Sequence, residues 1–260
     1  MRLAEQVVAL PYRRFCGRTV QGYRIGSILG IGGSGVAFEA VDPGGQSVVL
    51  KLLRPLRASC DLDAVWREVE PLGRIDHPAA PSWLGIVRER RAYFVVMSRL
   101  RGATLASWLF ERRHAFSLSE LARVGGGMAQ ALMHFHACGV AHGDVRPANV
   151  LYDGERVSFA DFGMSVCAGS DAIAFREACA ADVAGFADVL IYLLYASPEV
   201  DRRSCPKGSG SDWRDELALT GVQRRFLEDA LRPGGQPSIA EANERFLEAF
   251  APALGRLSNQ

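Results

Sequence analysis

His142-Gly143-Asp144-Val145-Arg146-Pro147-Ala148-Asn149-Val150-Leu151 is the stretch on which the reading of the chain turns. It sets a carboxylate, a cation and an amide side chain at fixed spacing and then leads into apolar residues that predict a strand. Asp153-Gly154 is a turn signal, so residues 150–152 and 156–160 are predicted to form a hairpin around it. Asp161-Phe162-Gly163 follows just past that hairpin. Asn149 and Asp161 together offer hard oxygen ligands of the kind Mg²⁺ accepts.

Toward the N-terminus, Gly30-Ile31-Gly32-Gly33-Ser34-Gly35 lies between two predicted strands, near 23–29 and 36–41. Glycines let a loop fold tightly and let backbone N–H groups approach phosphate oxygens. The residues after Gly35, Val36 to Val41, predict a strand rather than a helix, which disfavours a dinucleotide-binding turn and favours a strand–loop–strand lid over phosphates. Lys51 ends the apolar run of a third strand, 46–53. The chain has 30 basic residues, and Lys51 and Lys207 are the only lysines among them. A compact ammonium at position 51 therefore does something a forked guanidinium would not. Leu62, Val65, Trp66, Val69 and Leu72 fall at helical spacing, with Asp61 as an expected N-cap. Glu68 borders that apolar stripe, where its carboxylate can pair with Lys51.

In this order and on these elements the motifs resemble the eukaryotic-like (Hanks-type) protein kinases, over residues 23–250. His77-Pro78 and Gly102-Ala103-Thr104-Leu105 are further landmarks of that family, and the short chain is most similar to its compact soluble bacterial serine/threonine members, the YbdM-like type. The resemblance implies an α+β, bilobal fold: an N-terminal antiparallel sheet lobe with one helix (23–97), a hinge (98–102) and a mainly helical C-terminal lobe (103–260), after an N-terminal extension (1–22). It also implies ATP and Mg²⁺ as cofactors. Gly30, Gly32 and Gly35 would cover the phosphates; Lys51 would hold the α- and β-phosphates and pair with Glu68. Asp144 would accept or orient the substrate hydroxyl proton, Arg146 would meet the γ-phosphate where the family usually has Lys, and Asn149 and Asp161 would hold Mg²⁺. Ala37, Val49 and Leu151 would sandwich the adenine, with Met97 as gatekeeper and Ser98 to Leu100 offering backbone hydrogen bonds. Leu72, Phe162 and His142 would be packing members of the inner spine, which makes His142 structural rather than a base.

Three departures bear on regulation. Gly143 stands where the family usually has the Arg that receives a loop phosphate. The segment from Met164 to Ala181 is short and has no Ala-Pro-Glu before the helix expected at 182–195; Ser197-Pro198-Glu199 comes after that helix. Gln236-Pro237-Ser238 replaces Arg-Pro-Ser, so both charges of a usual pair are missing together. These features predict a kinase not switched by loop phosphorylation, with Ser165 and Ser170 dispensable for turnover. Lys51→Ala and Asp161→Ala are expected to lose turnover while staying folded. Two other readings compete. Aminoglycoside-type small-molecule kinases also carry His-Gly-Asp, but usually with His at the place of Arg146. A pseudokinase scaffold would usually lack one of Lys51, Asp144, Asn149 or Asp161.

Composition sets the outer limits. A chain of 260 residues with 48% hydrophobic and 23% charged residues is globular and can bury a sizeable core. A net charge of +1 argues against a nucleic-acid partner. Six cysteines without a CxxC pair predict reduced thiols and a cytoplasmic setting rather than a disulfide frame or zinc site. Residues 183–196 are too short and too charged to span a membrane and predict a buried core helix. Leu3, Val7 and Leu10 predict one helical turn packed on the domain. Ser117 to Glu120 has capping-box spacing and opens a helix reaching Cys138; more helices are predicted near 213–231 and 238–250, with 201–212 as a linker. Sequence leaves the protein substrate and the oligomeric state open.

Overall fold

A computed structural model describes residues 9–33, 35–53, 62–90, 92–169, 171–203 and 212–254. The expected placements of Leu3, Val7, Asp61, Ser170 and most of the 201–212 linker fall outside the described residues. The chain divides into two compact units. The first comprises Met1–Asp76, Ala80–Leu100 and Phe162–Met164; the second comprises His77–Ala79, Arg101–Asp161 and Ser165–Gln260.

The first unit is a six-stranded antiparallel sheet with one helix. Its strands are β1 (Thr19–Val20), β2 (Tyr23–Ile31), β3 (Gly35–Val41), β4 (Ser47–Leu53), β5 (Trp83–Glu89) and β6 (Ala92–Ser98), in the spatial order β1-β2-β3-β4-β6-β5. Residues alternate in and out along these strands, so the register decides which side chains share a face. Phe38, Leu50 and Val96 stand in one cross-strand row and Val36, Leu52 and Phe94 in another, all buried. Phe15, from a 3-10 turn at Arg13–Phe15, packs edge-on against Phe38 and Phe94 and joins this core. The N-terminal extension is thus part of the sheet's core. The opposite face carries Ala37, Lys51 and Val95 in one row, and Glu39, Val49 and Met97 in the next. Helix α1 (Leu62–Arg74) contributes buried Val65, Glu68, Val69 and Leu72.

The second unit is mainly helical. Helix α2 (Leu118–Ala137) begins at the predicted capping box: Ser117 Oγ accepts from the Glu120 N–H, and the Glu120 side chain accepts from the Ser117 N–H. Short strands β7 (Ala103–Thr104), β8 (Val140–Ala141), β9 (Val150–Tyr152), β10 (Val157–Phe159) and β11 (Val166–Cys167) make two small sheets, β10-β9-β7 and β11-β8. The predicted hairpin is β9 with β10.

The helix expected at 182–195 is α3, Ala172–Ala196, and starts ten residues earlier. Asp171 caps it by accepting from the Ile173 and Ala174 N–H groups, and an alanine-rich run carries the first three turns. An apolar-run search misses those turns because Arg176 and Glu177 interrupt the pattern. At 25 residues α3 is long and apolar enough by composition to cross a membrane, a test that a buried core helix also passes. Its Val183, Phe186, Val189, Leu190, Leu193 and Leu194 are nonetheless buried within the second unit. The single helix expected at 213–231 is two pieces, a turn at Trp213–Glu216 capped by Asp212 and α4 (Gly221–Ala230) capped by Thr220 and Gln223. Helix α5 (Ile239–Leu254) follows Ser238, whose hydroxyl accepts from the Glu241 N–H.

Candidate active site

The first unit supplies a buried ion pair. Lys51 is 6% and Glu68 3% exposed, and the Lys51 ammonium donates to Glu68 Oε1. Strand β4 puts Lys51 opposite Ala37 and Val95, while Val65 and Leu72, about one turn of α1 on either side of Glu68, are buried with it. Taking both charges out of water is unfavourable unless each meets the other in good geometry. Lys51 is therefore a structural member of the first unit, which revises the expectation that Lys51→Ala leaves the fold untouched. On the same face Ala37 and Val49 are half-buried and Met97 is buried; Ser98 and Leu100, at the end of β6 and beyond, are half-buried.

The three glycines of the loop have different reasons to be glycine. A Cβ on Gly35 would collide with the Leu52 carbonyl oxygen across β3 and β4, so strand pairing alone demands glycine there. A Cβ on Gly30 would meet nothing within 4 Å. The Gly32 N–H donates to the Gly35 carbonyl at 2.9 Å and closes the turn; Ser34 lies outside the described residues.

The second unit supplies a loop held from below. Asp182, on α3 and fully buried, accepts three hydrogen bonds: from the His142 N–H at 2.7 Å, the Gly143 N–H at 2.7 Å and the His136 ring at 2.8 Å. One turn later a Cβ on Gly185 would collide with the Val145 carbonyl, so α3 lies directly against the loop's backbone. Gly143 has φ 76°, a left-handed conformation that glycine adopts without strain. The Asp144 carboxylate oxygen Oδ2 accepts from Asn149 Nδ2 at 2.7 Å and from Arg146 Nε at 3.0 Å, and Asn149 Nδ2 also donates to the Asp144 carbonyl at 2.9 Å. The β9–β10 hairpin folds the chain back so that the Ala160 N–H donates to the Asn149 carbonyl at 2.8 Å, which sets Asn149 against the residue just before Asp161. Asp161 is held at φ 61°, strained for a non-glycine residue, as side chains at functional sites often are.

Two histidines define the electrostatics. His142 is completely buried; its Nε2 lies 3.1 Å from the Ala160 carbonyl and its Nδ1 accepts from the Asp144 N–H at 3.3 Å. Burial holds its pKa below the ordinary value against the opposing charges of Asp182, Asp161 and Asp144, so it is a neutral spacer in keeping with its expected structural role. Burial also disfavours charge on His136, but hydrogen bonds to Asp182 and Cys179 and the negative charge of Asp182 outweigh it, and the pKa is pushed up to about 9. Sequence reasoning missed Asp182, Gly185 and His136 as supports of the loop. The available signal was an acidic residue opening an otherwise apolar helical run, at Asp182.

The donors suit Mg²⁺. Asn149 is 5% exposed and its nitrogen is committed to Asp144, so its oxygen, with the Asp161 carboxylate, would be the donor to a hard cation. Magnesium keeps waters and takes further oxygens from phosphate, so two protein oxygens suffice. No cluster of three or more His, Cys, Asp or Glu side chains able to hold an ion occurs among the described residues.

This arrangement has relatives. The protein kinase domain family matches residues 23–213. The chain belongs to that family. The Bacillus subtilis protein named "Probable serine/threonine-protein kinase YbdM" is 26% identical over 205 residues, covering 76% of this chain and 77% of the relative. The Mycobacterium tuberculosis serine/threonine-protein kinase PknJ is 30% identical over 218 residues, 79% of this chain but 33% of PknJ. The Thermomonospora curvata protein named "Probable serine/threonine-protein kinase PkwA" is 33% identical over 158 residues, 55% of this chain and 19% of the relative. The kinase thus spans most of the first relative and a third or less of the other two.

The segment that follows Asp161-Phe162-Gly163 is shorter than the sequence suggested. Because α3 starts at Ala172, it comprises residues 164–171 and not 164–181. Ser165 Oγ donates to the His142 carbonyl at 3.2 Å, which ties the segment to the loop. Glu199 of Ser197-Pro198-Glu199 accepts from the Leu118 N–H at 2.9 Å and so serves the start of α2.

Proposed function

We propose that the chain is an ATP- and Mg²⁺-dependent protein kinase that phosphorylates Ser and Thr hydroxyls. The observation that carries this reading is the Asp144 carboxylate, with Oδ2 engaged by both Asn149 and Arg146 and its loop held on buried Asp182. That leaves Oδ1 to orient the acceptor hydroxyl and take its proton as the hydroxyl oxygen bonds to the γ-phosphorus and the bond to the β-phosphate oxygen breaks. Lys51, kept in place by Glu68, binds the α- and β-phosphate oxygens, and the outward end of the Arg146 guanidinium meets the γ-phosphate. Asn149 and Asp161 would hold Mg²⁺, whose charge would offset that of the phosphates. Gly30, Gly32 and Gly35 cover the phosphates; Ala37, Val49 and Leu151 enclose the base beside Met97, and Ser98 and Leu100 offer main-chain groups to it. The names of the relatives and Arg146-Pro147 after Asp144 support Ser/Thr as acceptors. Cys16, Cys138, Cys167 and Cys179 form no disulfide, which fits a reducing cytoplasm.

Asp144→Asn removes the proton acceptor while keeping its shape. Turnover of ATP into phosphoprotein should fall by about 10²- to 10⁴-fold with thermal stability little changed. Phosphosite mapping after incubation with ATP and Mg²⁺ checks the acceptor, and label confined to a small molecule would overturn the protein-kinase reading. The eight-residue span 164–171 favours that second reading, a small-molecule kinase, because it leaves little surface for a peptide. Gly143 and the same short span also support a kinase that is not switched by loop phosphorylation.

A further inference from the structure

The nucleotide face of the β2–β6 sheet grades from a buried ammonium to an exposed ion pair. Lys51 shares a cross-strand row with Ala37, and Glu39 shares the next with Val49 and Met97. Arg99, two residues past Met97, turns its guanidinium back over this face onto Glu39 Oε1, with Nη1 also 3.4 Å from Ser47 Oγ. Ser27 Oγ donates to Glu39 Oε2 at 3.2 Å. Both carboxylate oxygens therefore already have protein donors. From the other direction, the Ser98 N–H donates to the Ser82 carbonyl at 2.9 Å, and the Ser82 N–H donates to Ser98 Oγ at 2.9 Å. Ser98 is thus fastened by hydrogen bonds to Ser82, just ahead of β5, and Arg99 to β3 by a charge pair.

We infer that the Glu39–Arg99 ion pair is a positioning element for the nucleotide base, fixing the main chain of residues 98–100 relative to the strand that carries Ala37. The inference rests on the kinase reading and deepens it. The pair works by holding, not by touching the ligand, because neither Glu39 oxygen is left without a protein donor. An ion pair with side chains 39% and 37% exposed adds little to global stability, so its consequence is local: where the hydrogen-bonding groups past β6 sit when the base arrives. Base affinity depends on that placement, whereas Lys51, Asp144 and Asn149 carry the chemical step.

The test uses the full chain, Mg-ATP, and Glu39→Gln, Arg99→Met and the reversal Glu39→Arg/Arg99→Glu. Each single substitution should raise KM for ATP about two- to fivefold, the factor that an exposed ion pair can transmit, with kcat within about twofold. The reversal should bring KM back toward the starting value. A purely structural pair would lower Tm and leave KM alone; that result, or a reversal no better than the singles, overturns the inference. If the unaltered chain neither binds nor turns over Mg-ATP, the kinase reading falls and takes this one with it. Turnover with an unmoved KM removes this one alone.

Discussion

Lys51 and Asp144 are anchored by opposite means. Lys51 is fixed by its own chemistry, an ammonium meeting Glu68 inside the first unit. Asp144 is fixed indirectly: it is part-exposed, and the buried group is Asp182, which acts only through the backbone of His142 and Gly143. The first arrangement ties function to stability in one side chain. The second separates them, so that the loop's support and its reactive group can be altered one at a time. Residue 144 can then change with little disturbance to the fold, and residue 182 cannot.

The largest effect that would break this contrast is at Asp182. Asp182→Ala leaves two backbone N–H groups and a charged His136 without their acceptor in a buried place, and should destabilise the second unit by about 3–5 kcal/mol in urea unfolding. A stable Asp182→Ala variant with normal turnover would remove the distinction. Next comes the ion pair. Lys51→Met alone strands the Glu68 carboxylate and should lower stability by about 3 kcal/mol, whereas Lys51→Met/Glu68→Leu should recover most of the loss in Tm while staying inactive. Recovery of stability without activity would show the two roles of Lys51 separately.

The His136–Asp182 contact sharpens the comparison through pH. His136 has a folded pKa of about 9, above its unfolded value of about 6.5. Its protonated form therefore stabilises the fold fully below about pH 6.5, and the contribution is lost as pH rises through about 9. The expected decline is about 2–3 kcal/mol, read as Tm against pH from 6 to 10 and flattened in His136→Gln. The smallest effect is at Ser165. Ser165→Ala removes one hydrogen bond to the His142 carbonyl and should cost about 1 kcal/mol, with turnover within about threefold. A collapse of turnover would reinstate control through the segment after Asp161-Phe162-Gly163.

The protein kinase family was legible from the order and spacing of its motifs, which the family match over residues 23–213 bears out. The ion pair was readable because Lys51 is rare in an arginine-rich chain and Glu68 sits beside an apolar stripe. The β9–β10 hairpin was readable from Asp153-Gly154. What escaped were supports whose partners are backbone atoms. Asp182 and Gly185 bind or touch the main chain of residues 142–145, and main-chain partners leave no mark in side-chain patterns. The early start of α3 escaped because Arg176 and Glu177 interrupt the apolar pattern of its first turns. The break before Thr220 escaped because the two short helices share one apolar rhythm, and their caps decide where each stops.

Phe15 lies ahead of the span that matches the family, yet its ring sits between Phe38 and Phe94. A chain begun at residue 23 would therefore open a void the size of a benzene ring under the sheet that presents Lys51. The boundary of the recognisable domain and the boundary of the foldable one are different places in this molecule, and an expression clone trimmed to the former would discard part of the latter.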